Sequence, residues 1–410
     1  MADQPQIILI QYDLRPLYYD SFHCLAADCR YTCCRGWKIP FDKKDYLRLK
    51  QLKCSPELDA ALKGCLRRVK KGPWAKNFYG EFDLAGGYCP MMRKDGLCSL
   101  QLEQGHDTLP TVCKIFPRSG RYPASCYLER SLSPACEGVL ELLWNLPDGV
   151  DFVSDPLPEE EWKEADPEAL IWLRPHFQDI RSQCIDILQN RWYPLPQRIL
   201  LMGLALKELV DGERDISRWL AHAQLLADDP ETAKALSALD RADGLPMFLT
   251  NNIIILRKIY NPTSDFASVP DELCAALGCE YREETGRVVI TTAPYLETRA
   301  RYEEQFADRE YFMENLIVAL FFHRHLPELG SAEELWKSYV QFCNLYSFYR
   351  FMAVMSCREG IEDPKAELFR LVVCASRALI HNTAQQNQLR DELFQNDSTT
   401  LAHMAILLGG

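Results

Sequence analysis

The order of apolar and polar residues divides the chain into two unlike parts. From about residue 163 onward, apolar residues recur at the three- and four-residue spacing of amphipathic helices. This spacing predicts helices over residues 167–190, 195–211, 215–226, 248–260, 301–325, 332–357 and 364–381. Residues 281–290, with a turn signal at Thr285-Gly286, predict one β-hairpin. The second part is therefore expected to be mainly helical.

The first part of the chain has little helical periodicity. Residues 1–40 are irregular with short strand-like pieces, and residues 80–137 are rich in Gly, Pro and Cys. One helix is predicted to begin after Ser55, because Pro56 suits the first helical position, with Cys65 as a small buried residue on its apolar face. We expect a mainly α fold: an irregular cysteine-rich metal-binding domain over 1–147, a Pro- and acid-rich linker over 148–162, and a larger helical domain over 163–410.

Cysteine and charge follow the same division. Of the 17 cysteines, eleven lie within residues 1–140. Residues 1–150 hold 21 Lys and Arg against 17 Asp and Glu, so their net charge is +4. Residues 151–410 have a net charge of −16, which gives the whole chain a net charge of −12. The overall negative charge opposes binding to nucleic acid. No apolar run is long enough to span a membrane and no signal peptide is recognisable, so we expect a cytoplasmic protein. In the reducing cytoplasm, clustered cysteines are metal ligands or redox groups more often than they are disulfides.

Eight of these cysteines stand in short motifs that suit a metal. They are Cys24, Cys29, Cys33, Cys34, Cys89, Cys98, Cys113 and Cys136. Short spacings allow several thiolates to meet with only a turn between them, and a turn at Asp95-Gly96 would bring Cys89 close to Cys98. The vicinal pair Cys33-Cys34 cannot easily aim both side chains at one ion. The pair could therefore serve two centres, or supply one ligand and one supporting residue.

The type of metal stays open on these residues. Four cysteines suit a purely structural zinc ion, and they also suit an iron–sulfur cluster. A set of cysteines with no histidine partner favours iron–sulfur slightly. Of the eight histidines, His23 and His106 are near enough in sequence to reach the centre. Trp37 and Phe116 are expected to pack over it as an apolar lid.

The order of the motifs resembles the flagellin lysine-N-methylases, a family within a wider group of zinc- or iron-chelating cysteine-rich proteins. The resemblance covers residues 20–140, and Glu314-Asn315 with Pro327 is similar to a weaker feature of the second half. Its motifs are Cys24-x4-Cys29-x3-Cys33-Cys34-x-Gly36-Trp37, Cys89-Pro90 followed by Gly96-x-Cys98, and Cys113-x-x-Phe116-Pro117-Arg118. The family pattern Cys-Pro-Glu is replaced here by Pro134-Ala135-Cys136-Glu137, which makes Cys126 an alternative to Cys136 as a ligand.

The resemblance implies methyl transfer from S-adenosylmethionine to lysine amines of flagellin, with a 4Fe–4S cluster in the cysteine-rich domain. There is no glycine-rich nucleotide fingerprint after a strand, so a doubly wound methyltransferase domain is not expected. The acceptor amine must lose its proton to desolvation or to a base, and the residues near the motifs leave four candidates for that base open. These are Tyr79, Asp83, Tyr88 and Glu137. The alternative is a non-enzymatic zinc- or iron-chelating protein whose helical half binds a partner.

Overall fold

The cysteine-rich part of the chain folds into short strands and short helices. The computed structural model describes residues 9–36, 39–71, 78–121, 127–164, 176–237, 244–258, 266–282, 287–380 and 399–409. The elements of the first part are β1 Leu9–Ile10, β2 Tyr12–Pro16, β3 Ile39–Phe41, α1 Lys43–Lys50, α2 Pro56–Cys65, β4 Leu66–Arg68, β5 Gly80–Phe82, α3 Ser99–Gln104, α4 Thr111–Ile115, β6 Arg118–Arg121, β7 Tyr127–Leu132, α5 Glu137–Trp144, β8 Phe152–Val153 and β9 Lys163–Glu164. Helix α2 begins as predicted, since the Ser55 side chain accepts a hydrogen bond from the Leu58 amide and Pro56 stands first in the helix.

The second part is helical, so the predicted mainly α fold is confirmed. Its elements are α6 Phe177–Gln189, α7 Leu195–Asp211, α8 Ile216–Asp228, α9 Pro230–Ser237, α10 Leu245–Lys258, α11 Val269–Leu277, β10 Glu280–Arg282, β11 Arg287–Val289, α12 Ala293–Gln305, α13 Tyr311–His323, α14 Ala332–Met355, α15 Pro364–Ile380 and α16 Leu401–Leu408. The bounds of α7 agree with the apolar spacing, and β10 pairs with β11 as the predicted hairpin. Among the described residues, no helix is both long and apolar enough to cross a membrane.

The single helix predicted over residues 301–325 is wrong. Helix α12 ends at Gln305 and α13 begins at Tyr311, with a 3-10 turn between them. Phe306 leaves the helical conformation at this break and is buried, with its ring edge-on to Trp144 at 5.5 Å between centroids. Burial of this aromatic pair decides the break, and the helical spacing of nearby residues gives no sign of it.

One hydrophobic core joins the two parts of the chain. Leu132, Val139 and Trp144 of the first part are buried in the same cluster as α6, α7, α13, α14 and α15. The stretch 148–162, predicted as a linker, holds β8, which pairs with β2, and contributes Val150 to that core. A smaller second core lies within the first part and contains α1, α2, β3 and β5. The cysteine motifs are thus held between a small local core and the large helical one.

The feature Glu314-Asn315 fastens α13 to its neighbours. Glu314 accepts hydrogen bonds from Arg198 Nη1 at 2.5 Å and Arg191 Nη2 at 2.8 Å. The Asn315 side chain donates to the carbonyl of Leu143 near the end of α5 at 3.0 Å. These buried contacts give the motif a structural role, because each one satisfies a polar group that packing has removed from water.

A buried ion cluster around Glu129 connects β7 to the helices. Glu129 is fully buried, and both of its carboxylate oxygens accept hydrogen bonds from Arg181 on α6. His325 Nδ1 lies 2.7 Å from Glu129 Oε2. Burial alone would raise the pKa of Glu129, but the hydrogen bond to His325 and the charge of Arg181 outweigh it and hold that pKa below its ordinary value.

Glu129→Gln is expected to destabilise the protein by about 3–5 kcal/mol, because it leaves the buried Arg181 without its carboxylate. Glu161→Gln is the control, since Glu161 pairs with Arg130 at the surface and its loss should cost less than about 1 kcal/mol. Denaturant unfolding measures both. Because the pKa of Glu129 is lowered by folding, its contribution should be present near neutral pH and lost as the pH falls through the folded-state pKa. Equal unfolding free energies for the two variants would refute this role of the cluster.

Candidate functional site

All eight predicted metal-binding cysteines line one cavity of about 1060 Å³. These cysteines come from four separate segments of the first part of the chain. Apolar side chains such as Phe22, Phe82 and Phe116 fill the wall between the thiols. Residues up to 112 positions apart in the sequence are therefore brought to the same space, and the lining is mostly sulfur and hydrocarbon.

Backbone hydrogen bonds bring the second and third motifs to the first. The Cys89 amide donates to the Cys34 carbonyl at 2.8 Å, and Cys98 forms a β-bridge with Met92. The predicted turn is present, with Gly96 at a φ of +79°, a left-handed conformation that glycine adopts without strain. Helix α4, which carries Cys113, is anchored because the Thr111 amide donates to an Asp45 carboxylate oxygen at 2.7 Å.

The loop between Cys29 and Cys34 is held from two sides. Glu137, at the start of α5, accepts hydrogen bonds from the amides of Arg30 at 2.6 Å and Tyr31 at 3.1 Å. Arg377, on α15, donates to the carbonyls of Tyr31, Thr32 and Arg35. An acidic group thus satisfies the loop's donors and a guanidinium satisfies its acceptors, so the loop is ordered by contacts from both parts of the chain.

Burial keeps most of these thiols protonated in the metal-free chain. It is the main cause that raises the pKa of Cys29 and Cys89 to about 12 and that of Cys136 to about 11. Cys34 differs, because a hydrogen bond from the Cys33 thiol is the largest cause that lowers the Cys34 pKa to about 7. A cation that enters the cavity would have to displace protons from the other thiols, so metal binding here is expected to release protons.

The helical part also contributes residues to the cavity wall. The sequence pattern did not predict this contribution. Leu256 of α10, Val269 of α11 and both Cys374 and Arg377 of α15 line the cavity. Cys374 lines the cavity although it is not one of the eight cysteines predicted as metal ligands. Cys374 and Arg377 are three residues apart on one helix and therefore share a face, but nothing local shows which face meets the cysteine motifs. Glu81 of β5 also reaches the wall and was missed.

The other predicted site residues lie in varied places. His106 lines the cavity, whereas His23 bonds the Ser21 carbonyl at 3.0 Å outside it. The cavity wall, so far as the described residues form it, includes none of the four candidate bases. Those four are Tyr79, Asp83, Tyr88 and Glu137, and Glu137 instead holds the loop. Phe116 lines the cavity as expected, while Trp37 and Cys126 lie outside the described residues.

Residues 181–407 match the family described as the FliB lysine N-methylase C-terminal domain. This stretch is more than half of the chain and includes α7 to α15. The chain belongs to the FliB lysine N-methylase family. The matched domain contributes Leu256, Val269, Cys374 and Arg377 to the cavity, so the cavity wall combines the FliB domain with the cysteine motifs that precede it.

Three proteins similar to this FliB family member come from Salmonella. A lysine-N-methylase of Salmonella typhimurium is 32% identical over 155 residues, and one of Salmonella choleraesuis is 33% identical over 159 residues. Each match covers 37% of this chain and 37% of the relative, so the chain spans little more than a third of the length of these relatives. The flagellar biosynthetic protein FliU of Salmonella muenchen is 32% identical over 144 residues, which are 33% of this chain and 78% of that protein. No solved structure matches.

The donors of this FliB family member fit a thiolate-bound metal in chemistry and in burial. Eight thiols face one cavity, and seven of them lie at half-buried or buried positions. Within the described part of the chain, no three His, Cys, Asp or Glu side chains stand in a geometry that would hold a metal ion. The cysteines that would hold a metal are the eight of the cavity wall, and their role as ligands stays a prediction.

Proposed function

We propose that this chain transfers methyl groups from S-adenosylmethionine to lysine side chains of flagellin, and that its cysteine-lined cavity holds a 4Fe–4S cluster. One observation carries the proposal: the cavity lined by the cysteine motifs is also lined by residues of the domain that matches the FliB lysine N-methylases. A cluster held by the cysteines of the cavity wall would supply a Lewis-acidic and redox-active metal centre. The relatives named lysine-N-methylase and flagellar biosynthetic protein support the activity and the substrate.

The shape of the cavity suits a small donor. Its volume of about 1060 Å³ is in the range of pockets that bury a cofactor-sized ligand. The sheets formed by the described residues have two to four strands, and β2 with β7 is their parallel pair, so these elements do not form a doubly wound nucleotide-binding sheet. A donor site in the cavity is therefore consistent with the architecture.

The chemistry needs a neutral amine. In the transfer, the lone pair of the lysine Nζ attacks the methyl carbon, the carbon–sulfur bond breaks, and the sulfonium sulfur keeps its electron pair. The surplus proton of the amine leaves to solvent or to a base. A lysine pKa near 10.4 leaves roughly one amine in a few thousand neutral at pH 7, but an apolar wall such as Phe22 and Phe82 disfavours the charged form and raises that fraction.

The charge of the helical part supports a lysine-bearing substrate. Residues 151–410 carry a net charge of −16, whereas residues 1–150 carry +4. A negative field attracts cationic segments and increases the rate of encounter at low ionic strength. The positive charge of the first part offsets that of thiolates around a metal.

Holoprotein purified without oxygen should add the mass of one or more methyl groups to flagellin when S-adenosylmethionine is present. Intact-mass and peptide mass spectrometry measure the gain, and flagellin with acetylated lysines is the control that should gain nothing. Protein depleted of its metal should lose the activity. If depletion abolishes activity in a chain that keeps its helical circular dichroism, the metal takes part in chemistry or donor binding.

The absence of methyl transfer from folded, metal-replete protein to its cognate flagellin would overturn the proposal. The chain would then be better explained as a zinc- or iron-chelating protein whose helical part binds a partner. Measurement of bound iron, sulfide and zinc on the same sample separates these outcomes, because the chelating alternative requires metal without turnover.

A further inference from the structure

Two further cysteines, Cys274 and Cys279, meet at the end of α11 and are not among the described residues that line the cavity. Helix α11 ends in a Schellman motif, in which Gly278 takes a φ of +59° and its amide donates to the Ala275 carbonyl at 3.1 Å. The Cys279 amide donates to the Cys274 carbonyl at 2.9 Å. Side chains at these two positions of the motif contact each other, so the fold brings the two thiols together.

The motif also holds the two cysteines within the reach of a disulfide. With standard bond lengths, the 2.9 Å hydrogen bond limits the separation of their Cα atoms to about 7 Å, which is the upper limit for a disulfide bridge. The Cys279 thiol donates a hydrogen bond to the Cys274 sulfur, so the two sulfurs are in contact. A disulfide between them therefore requires little movement of the backbone.

A cation from the neighbouring helix contacts Cys274. Arg257, near the end of α10, donates one hydrogen bond to the Cys274 sulfur and another to Asp271 Oδ1 at 2.7 Å. Asp271 and Cys274 are three residues apart on α11, so they share one helix face. The hydrogen bond from Cys279 is the largest cause that lowers the pKa of Cys274, and Arg257 adds to it, while burial opposes both. These contacts favour the thiolate, which is the nucleophilic form of cysteine.

Packing alone does not explain this arrangement. A cysteine that serves only as a small buried residue has a raised pKa, as Cys184 and Cys343 of the same large core have because of burial. Cys274 belongs to that core and is 5% exposed, but its polar contacts act in the opposite direction. A nucleophilic thiol beside a cation and a second thiol is the arrangement of a redox-active cysteine with its resolving partner.

We propose that Cys274 and Cys279 are a peroxide-sensitive thiol pair that oxidises reversibly to a disulfide. The Cys274 thiolate attacks one oxygen of hydrogen peroxide, the O–O bond breaks and hydroxide leaves, which gives a sulfenic acid at Cys274. The Cys279 sulfur then attacks the Cys274 sulfur, and the S–O bond breaks. The hydroxyl group leaves as water with the Cys279 proton. The pair loses two electrons, the peroxide gains two, and a dithiol reductant reverses the reaction.

The helices that carry this pair and its cation also contribute to the cavity. Leu256 directly precedes Arg257 on α10, Val269 begins α11, and both Leu256 and Val269 line the cavity wall. Disulfide formation removes the negative charge that Arg257 contacts, next to a residue of that wall. The inference concerns oxidant chemistry in the helical part and does not depend on methyl transfer or on the metal.

The test is peptide mass spectrometry of holoprotein purified without oxygen, treated with one equivalent of hydrogen peroxide and alkylated after unfolding. Trypsin releases residues 259–282 as one peptide, whose two cysteines are Cys274 and Cys279. Before treatment this peptide should carry two alkyl groups. After treatment it should carry none and be lighter by the mass of two hydrogens, and dithiothreitol should restore alkylation. Cys54 is the internal control, because it is also half-buried but has a raised pKa, and it should remain open to alkylation.

Two variants test the roles of the resolving thiol and the cation. Cys279→Ser should stop the reaction at the sulfenic acid of Cys274, which dimedone traps. Arg257→Gln removes the charge and should slow disulfide formation about tenfold at pH 7, since the thiolate fraction falls about tenfold per unit of pKa above the solution pH. Arg299→Gln is the matched control, because Arg299 pairs with Glu303 at the surface, and its rate should equal that of the wild type.

Circular dichroism of the helices verifies that each variant is folded. The proposal would be overturned if Cys54 in the wild-type protein were oxidised as fast as the pair, because Cys274 and Cys279 would then be an ordinary packing contact. An unchanged rate in folded Arg257→Gln would also overturn it. Either result leaves the proposed methyl transfer untouched, since the readout is the oxidation state of one peptide.

Discussion

Cys89→Ser is expected to lower the metal content of the protein sharply and to destabilise the cysteine-rich part by several kcal/mol, whereas Cys65→Ser should leave the metal content unchanged. Metal binding contributes about 10–16 kcal/mol to the folding of small thiolate-bound zinc units, so the loss of one ligand is a large effect. Cys89 and Cys65 are 4% and 1% exposed and belong to the same small core, but Cys89 lines the cavity and Cys65 does not.

This pair of variants separates metal binding from packing. Both substitutions bury a hydroxyl in an apolar core, which costs about 1–3 kcal/mol wherever it occurs. The excess loss in Cys89→Ser is therefore attributable to the metal. Elemental analysis and thermal unfolding in parallel measure the difference. Equal metal content and equal melting temperature in the two variants would show that Cys89 is not a ligand.

The rate of methyl transfer is expected to rise with pH, by up to about 100-fold between pH 7 and pH 9, because the neutral fraction of a lysine amine grows tenfold per pH unit below its pKa. The expectation rests on the proposed function. Initial rates by mass spectrometry at saturating S-adenosylmethionine measure it, with metal content assayed at each pH. If the rate stays constant over this range in protein that keeps its metal, the fraction of neutral acceptor lysine does not control the rate.

The pH at which the rate levels off reports the environment of the amine. An acceptor lysine that stays in water should give a rise that continues to pH 9 and beyond. An acceptor drawn into the apolar cavity wall should have a lowered pKa, because desolvation disfavours the charged amine, and its rate should level off nearer neutral pH. A level-off as the pH is raised, together with unchanged folding, would place the transfer in a water-poor site.

Short-range features of the fold could be predicted from the sequence. The bounds of α7 follow from apolar spacing alone, α2 begins where Ser55 and Pro56 predict, and the hairpin of β10 and β11 follows from its turn residues. Each of these depends on residues a few positions apart, whose backbone preferences and side-chain spacing act locally. The cysteine motifs could be predicted for the same reason, because short spacings and turn residues bring the thiols of neighbouring cysteines together.

Only the tertiary structure decided which distant residues share the site. Arg377 and Cys374 meet the cysteine motifs because α15 packs against α5 and α14, and Glu129 finds Arg181 and His325 because β7 lies beside α6 and α13. The break at Phe306 likewise depends on Trp144, which is far away in the chain. Such contacts are selected by burial of whole helix faces, an energy spread over many residues, so no single local pattern carries them. The residue types and motifs of the site are thus sequence properties, while the meeting of the cysteine motifs with α10, α11 and α15 at one cavity is a property of packing.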